Sequence, residues 1–294
     1  MKITLFGKSI NDSNIQPVIR LVNKLELMGW DLTVHEEIYN KLRHRGGFRS
    51  IVKVFSDTND FSGDCQLFIS IGGDGTLLNS LPFIRNRQIP IVGVNTGRLG
   101  FLAGINIDEI ENAIEQIRDK KFTIEKRSLL TLETADGLFG ELNFALNEFS
   151  VTKSESASMV TIHVYRNGDF LNTYWADGLI IATPTGSTAY SMSCGGPIAM
   201  PDSENFIITP IAPHNLNVRP LIISDKDIIT ITADGRTNQH MVTLDSRSSI
   251  IDSMVEMTLR RADFQVSLLR LDQHDFTQTL RSKLNWGIDK RNES

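Results

Sequence analysis

The sequence predicts an α/β N-terminal domain with a mostly parallel sheet, followed by a β-rich C-terminal domain. Three observations carry this. From residue 2 to about 118, short apolar runs alternate with segments of helical periodicity. Past Lys120 the runs are short, β-type and separated by Gly, Asp, Asn and Pro. The most apolar run of the first half, "QLFISIG" (66–72), opens directly into Gly72-Gly73-Asp74-Gly75. Alternating β and α segments build an open parallel sheet whose ligands sit outside the C-terminal ends of its strands.

Taken in order, "KITLFG" reads as a strand. Ile15, Val18, Ile19, Val22 and Leu25 then recur at helical spacing, with Ser13 or Asn14 as the N-cap candidate and Gly29 as the stop. "DLTVHE" is the next strand. The run 66–72 is apolar enough to be buried on both faces, as parallel strands covered by helices are. Asp74 therefore lies just past a strand end. Residues 76–84 read as a helix and 89–95 as another buried strand. Asn106 caps a helix that presents Ile107, Ile110, Ile114 and Ile117 on one face, with Glu109 completing a capping-box pattern. The second half contributes the strand candidates "RSLLTLET", "MVTIHVYRNG", "GLIIATPTG", "ENFIITPIA" and "DIITITADG". The expected organisation is 1–120, 121–270, and a tail 271–294 with an amphipathic stretch at 275–284.

Composition excludes several classes. A chain of 294 residues with 40% hydrophobic content supports substantial buried cores. Thirty Lys plus Arg against thirty-five Asp plus Glu give a net charge of -5, with neither sign in a long block, so no nucleic-acid partner is expected. Cys65 and Cys194 form neither a disulfide framework nor a metal cluster and are expected as reduced thiols, which points to the cytoplasm. The N-terminus has no signal-peptide core and no stretch approaches ~18 unbroken apolar residues, so no membrane insertion is expected. There is no internal repeat or low-complexity segment.

The "GKS" at 7–9 lacks the glycine a P-loop needs, since that position is Lys2. Nucleotide-binding G-x-G-x-x-G, zinc-binding H-E-x-x-H and nucleophile-elbow G-x-S-x-G motifs are absent from the sequence. The six scattered histidines read as structural or surface residues, and no protein metal ligands are assigned.

Three clusters remain. In the first, Gly72, Gly73, Gly75 and Thr76 surround Asp74. Asp-Gly pairs are common in turns, but side-chain-free backbone at a helix N-terminus also lets a polyphosphate approach, and a carboxylate there is placed to accept a proton. The second is Asn147-Glu148 within "LNFALNEFSV", either a turn or an amide-carboxylate pair able to orient a base edge or ribose hydroxyls. The third runs from Ala176 through "ADGLIIATPTGSTAYSMSCGGPI" and packs Thr183, Thr185, Ser187, Thr188, Tyr190, Ser191 and Ser193 together. A hydroxyl-rich surface loop is one account. A hydrogen-bonding wall for a nucleotide, with Tyr190 stacking on a ring, fits better.

Together the three clusters resemble the NAD kinase family, in order and separation, over essentially the whole chain, including "PIAPHNLNVRPLI" (210–222). The third cluster is highly specific. "GGDG" alone is shared with diacylglycerol-kinase-like lipid kinases and 6-phosphofructokinases. The resemblance implies phosphorylation of NAD at the 2′-hydroxyl of its adenosine ribose by ATP with a divalent cation (Mg2+), giving NADP. It implies a phosphofructokinase-like N-terminal domain, a β-rich NAD-binding domain, a site between them and a tail that packs back on the first domain. By analogy Asp74 is the general base and Gly75 the close-approach glycine. Asn147 and Glu148 hold ribose and base. Asp177, Thr188, Ala189, Tyr190, Ser191, Met192 and Ser193 line the dinucleotide pocket. Family members form homodimers or homotetramers, and Ala212 matches a position reaching a neighbouring subunit's NAD.

Two positions depart from the family pattern. Trp175 stands where many relatives carry an arginine tied to preference for NAD over NADH, and Arg247 replaces a polar residue such as glutamine, so no binding role is carried onto it. Two other readings stay open on sequence: a lipid kinase, for which no basic amphipathic helix or polybasic patch is visible, and a non-catalytic NAD(P)-sensing module.

Overall fold

The computed structural model describes residues 1–8, 10–154, 159–236, 238–271 and 275–286. Ser9 of the "GKS" stretch, His274 and parts of the tail (272–274 and 287–294) lie outside the described residues. The chain forms two compact units, one of residues 1–126 with 266–294 and one of residues 127–265.

In the first unit the strands are β1 (Lys2–Gly7), β2 (Asp31–His35), β3 (Lys53–Phe55), β4 (Leu67–Ile71), β5 (Ile91–Asn95) and the short β6 (Ile105–Asn106). They alternate with α1 (Ile15–Leu27), α2 (Glu36–Leu42), α3 (Asp74–Ile84) and α4 (Ile110–Arg118). The sheet order is β5-β4-β1-β2-β3 and every pairing is parallel, with Ile3 opposite both Leu32 and Leu67. All five residues of β4 and of β5 are buried, which is why those runs show no polar alternation. Helices α1 and α4 bury Val18, Leu21, Val22, Ile110 and Ile114 in one core with Leu5, Ile69 and Val94.

Two local expectations are corrected. Helix α1 has Asn14 at its N-cap position without a side-chain cap bond, because a 3-10 turn (Asp12–Asn14) precedes it and the Asn14 amide instead donates to Thr96 O at 3.0 Å. Helix α3 starts at Asp74, two residues before the expected start at 76, since Gly73 takes the extended N-cap conformation. Asn106 does cap, accepting from Asp108 N at 3.1 Å. Gly29 ends α1 in the left-handed region, φ +70°.

In the second unit the strands are β7 (Phe122–Glu133, entering from the first unit), β8 (Phe144–Ala145), β9 (Glu148–Lys153), β10 (Val160–Arg166), β11 (Asp169–Ala176) and β12 (Gly178–Ala182). A one-turn helix α5 (Tyr190–Ser193) follows, then β13 (Asn205–Ile211), β14 (Leu221–Ser224), β15 (Ile229–Gly235), β16 (Gln239–Leu244), β17 (Arg247–Asp252) and β18 (Met257–Leu271). A six-stranded antiparallel sheet runs β14-β13-β12-β9-β16-β17, and β10 pairs with β11 and β15. Inward residues of both sheets, among them Phe149, Val151, Leu179 and Ile181 against Ile162, Val164, Ile229 and Ile231, share one core. On the opposite face of β12, Ile180 and Ala182 pack with Ala199 and Ile207, so β12 is covered on both sides and reads as a continuous apolar run.

The chain re-enters the first unit through the end of β18, where Leu268 pairs in parallel with Ile91. Helix α6 (Phe276–Leu284) then packs Phe276 and the Lys283 ammonium against the Phe101 ring. No helix among the described residues is long and apolar enough to cross a membrane.

Candidate active site

In the first unit, β4 delivers Gly72 to the sheet's C-terminal edge. Gly72 has φ +151°, and a Cβ there would meet Thr76 Oγ1 at 2.2 Å, so the tight turn requires glycine. Gly73 and Gly75 face open space, with nothing within 4 Å of an added Cβ among the described residues. Gly73 caps α3 without a side chain, leaving the first-turn N–H groups of Asp74 and Gly75 without helical acceptors. Such a turn suits a phosphate.

Asp74 does not bond within its own turn. Its Oδ2 accepts from Phe101 N at 2.8 Å, and its Oδ1 accepts from Leu102 N at 3.0 Å and Ala103 N at 2.8 Å. Gly100 lies against the carboxylate so closely that a Cβ would fall 1.8 Å from Oδ1. A carboxylate has about four lone-pair sites. Oδ1 uses two and Oδ2 one, which leaves one acceptor site on Oδ2.

The same loop is held from its carbonyl side by Arg270, which sequence reasoning missed. Its guanidinium donates to Phe101 O at 2.8 Å and Leu102 O at 3.2 Å, while Nε meets Glu125 at 3.2 Å.

In the second unit, Asn147 and Glu148 stand where β8 turns into β9. Asn147 is buried, and its carbonyl accepts from Thr183 N at 2.8 Å. Gly186 packs on that carbonyl, where a Cβ would come within 2.0 Å. A second missed residue, Asp245, follows β16 with φ +52°, and its fully buried carboxylate accepts from Leu146 N (2.9 Å), Asn147 N (2.8 Å) and Glu148 N (3.2 Å). Burial, and next the neighbouring Asp245 carboxylate, push the Glu148 carboxyl up to about 8, against the lowering effect of the Tyr190 backbone N–H. Glu148 Oε2 is buried with no partner among the described residues. Arg247 is structural here: it donates to Leu142 O and Phe144 O and lies over the Phe144 ring.

The hydroxyl-rich segment is not a surface loop, because Thr183, Thr185, Ser187, Thr188 and Ser191 are all buried. Their side chains bond inward: Thr183 to Leu146 O, Ser187 to Pro184 O and Ala199 O, Thr188 to Thr185 O, and Ser191 to Thr209. Tyr190 and Ser193 are exposed, while Ala189 and Met192 are partly so. Tyr190 lies within electrostatic reach of both Asp177 and Glu148, and burial raises its phenol. Glu148 pairs opposite Ala182 at one end of β12, and Asp177 precedes Gly178 at the other, so the strand separates the two residue positions by roughly 16 Å. Asp177 is bound by Lys153 Nζ at 2.7 Å and its N–H reaches Ile211 O, beside the exposed Ala212 at φ +44°. Trp175 is half exposed.

Residues 3–122 match the ATP-NAD kinase N-terminal domain, and residues 146–271 match the ATP-NAD kinase C-terminal domain. The chain belongs to the ATP-NAD kinase family. It is 44% identical over 293 residues to the NAD kinase of Cytophaga hutchinsonii, covering 99% of this chain and all of that one. It is 42% identical to that of Flavobacterium psychrophilum, again over 99% of this chain and all of the relative. Among solved structures, yeast NADH kinase complexed with NADH superposes with a TM-score of 0.88 at 21% identity, covering 100% of this chain and 90% of that one. An NAD kinase from Archaeoglobus fulgidus in complex with ATP gives 0.76 at 23% identity, over 97% and 99% of the two chains. These likenesses agree with the α/β first unit and antiparallel second unit.

Proposed function

We infer that this chain is an ATP-dependent NAD kinase, transferring the γ-phosphate of ATP to the 2′-hydroxyl of the adenosine ribose of NAD to give NADP. Beside family membership, the observation that carries the reading is Asp74: a carboxylate fixed by three N–H donors, with one acceptor site left on Oδ2, at the head of a helix opened by Gly73 and Gly75. In the step, the 2′-oxygen forms the new bond to phosphorus, the bond from phosphorus to the β–γ bridging oxygen breaks, ADP leaves, and the hydroxyl proton passes to Asp74 Oδ2. Proton removal of this kind contributes roughly 10²–10⁴-fold, so positioning must supply much of the rest.

Gly72, Gly73, Gly75 and Thr76 form the phosphate loop of this proposal. In the second unit Asn147, Glu148 and Asp177 orient NAD, Tyr190 and Ser193 offer side chains to it, and Ala189 and Met192 add partly exposed surface. Thr188, whose hydroxyl donates to Thr185 O, and Ser191, hydrogen-bonded to Thr209, shape the backbone that presents them. The roughly 16 Å along β12 between the Asp177 and Glu148 positions suits an extended dinucleotide.

A divalent cation, Mg2+ with ATP, fits this arrangement. The open Gly73 and Gly75 backbone leaves room for the nucleotide phosphates that would carry the cation. When bound, it neutralises phosphate charge. We place the enzyme in the cytoplasm, on its two free thiols, and as a homodimer or homotetramer in which the exposed Ala212 faces a neighbour's NAD.

The test is a coupled assay with the purified chain, ATP, Mg2+ and NAD, reading NADP through a dehydrogenase that accepts only NADP. Accumulation of NADP is expected. Dinucleotide binding without NADP would favour the sensing module, and transfer to a lipid but not to NAD would favour the lipid kinase.

A further inference from the structure

Two carboxyl groups meet at the β8–β9 turn, the buried Asp245 and the half-buried Glu148 whose Oε2 is itself buried, and they are not equivalently served. Asp245 receives three backbone N–H bonds and has the Arg247 guanidinium 4.0 Å away. Glu148 has only the lowering influence of the Tyr190 backbone N–H set against its burial, and its Oε2 is buried without a partner among the described residues. Two buried carboxyls cannot cheaply both ionise, and the anion settles where donors are densest. Burial raises both groups, but the donors around Asp245 favour its charged form, so the proton is held on Glu148.

We propose that Glu148 engages the dinucleotide as a neutral carboxylic acid whose O–H donates to an acceptor on NAD, and that Asp245 is the positioning residue that both holds the Leu146-Asn147-Glu148 backbone and keeps that proton in place. This rests on the reading of the second unit as an NAD site. A neutral Glu148 also suits a ligand with an anionic pyrophosphate, since a second buried negative charge would repel it. The consequence is a binding site that works below the ionisation of Glu148 and fails above it.

The charged and titratable groups acting on Glu148 are Asp245 from the β16–β17 turn, Tyr190 from α5 and Cys194 just after it, which interact with it electrostatically; Arg247 acts on Asp245. Burial pushes the Tyr190 phenol and the Cys194 thiol upward from their ordinary values of 10.0 and 9.0, so both titrate above the Glu148 carboxyl.

The experiment measures the dissociation constant for NAD between pH 6 and pH 9.5 for the unsubstituted chain, Glu148→Gln and Asp245→Asn. For the unsubstituted chain, affinity is expected to hold up to about pH 8 and then to weaken toward tenfold per pH unit. Glu148→Gln keeps a donor in place of the acid, so affinity at pH 7 stays within a few-fold and the pH break disappears. Asp245→Asn removes the neighbouring charge, so the break moves to lower pH. Affinity that improves above pH 8, or a Glu148→Gln variant that loses binding at pH 7, would overturn the proposal by showing that Glu148 acts as the anion. If Asp245→Asn weakens binding at every pH without moving the break, its electrostatic part is refuted. Should that variant fail to fold, the break and its removal by Glu148→Gln still decide the state of Glu148. No NAD binding at any pH would instead defeat the underlying reading of the site.

Discussion

Asp74 and Arg270 grip opposite sides of the same two peptide groups. The Asp74 carboxylate takes the N–H groups of Leu102 and Ala103, and the Arg270 guanidinium takes the carbonyls of the same peptide units, Phe101 O and Leu102 O. The loop after β5 is thereby fixed from both faces, and the carboxylate is fixed by the loop. Residues 27 and 169 positions from Phe101 along the chain thus set the orientation of one acidic group. Preorganisation of this kind is what a positioned base needs.

Arg270→Met should loosen that loop. It removes both carbonyl donors and the Arg270–Glu125 bond, costing about 1–3 kcal/mol measured by denaturant titration. Turnover should fall by up to about 10²-fold, the scale of a ~1 Å misplacement, while the KM for NAD changes less. Arg270→Lys keeps a charge for Glu125 but not the planar fork, so it should restore stability better than turnover.

Gly75→Ala separates stability from function. Nothing lies within 4 Å of the added Cβ, and alanine in place of a helical glycine contributes roughly 0.5–1 kcal/mol. The melting temperature should hold or rise. The KM for ATP should increase, because the methyl group occupies backbone proposed to meet phosphate. An unchanged KM would remove Gly75 from the phosphate loop.

Glu148→Gln should reveal a pH-dependent stability cost. The ordinary value for this carboxyl is 4.5 and its folded value is about 8. Between those values the unfolded chain releases the proton while the folded chain retains it, so the stability present at low pH is progressively lost as pH rises toward 8. Glutamine has no such linkage. The melting temperature of the variant relative to the unsubstituted chain should therefore climb from pH 5 to pH 8 and level off above; a constant difference would contradict the raised value.

The β/α alternation, the buried β4 and β5 and the glycine turn were all legible, because period, burial on both faces and turn chemistry are local properties. The structure corrects the N-cap at Asn14 and the start of α3, where a 3-10 turn and Gly73 override the simple cap pattern. The hydroxyl segment shows a property that composition does not carry. Its composition suggested a wall of side chains, but Thr183, Ser187, Thr188 and Ser191 turn inward to satisfy buried backbone and side-chain groups. Arg270 and Asp245 left no local signal: each is a single charged residue whose partners lie 168 and 99 positions away, at Leu102 and Leu146. Only the fold brings them to the two clusters.

The most direct test of the account is Asp74→Asn, with turnover and NAD affinity measured on the same preparation. The amide oxygen can keep the Leu102 and Ala103 bonds while the amide nitrogen faces Phe101 N–H, so a loss of about 1–3 kcal/mol in stability is expected with the fold intact. NAD affinity should stay within a few-fold and turnover should drop by roughly 10²–10⁴. Turnover close to that of the unsubstituted chain would contradict the assignment of Asp74 as the base.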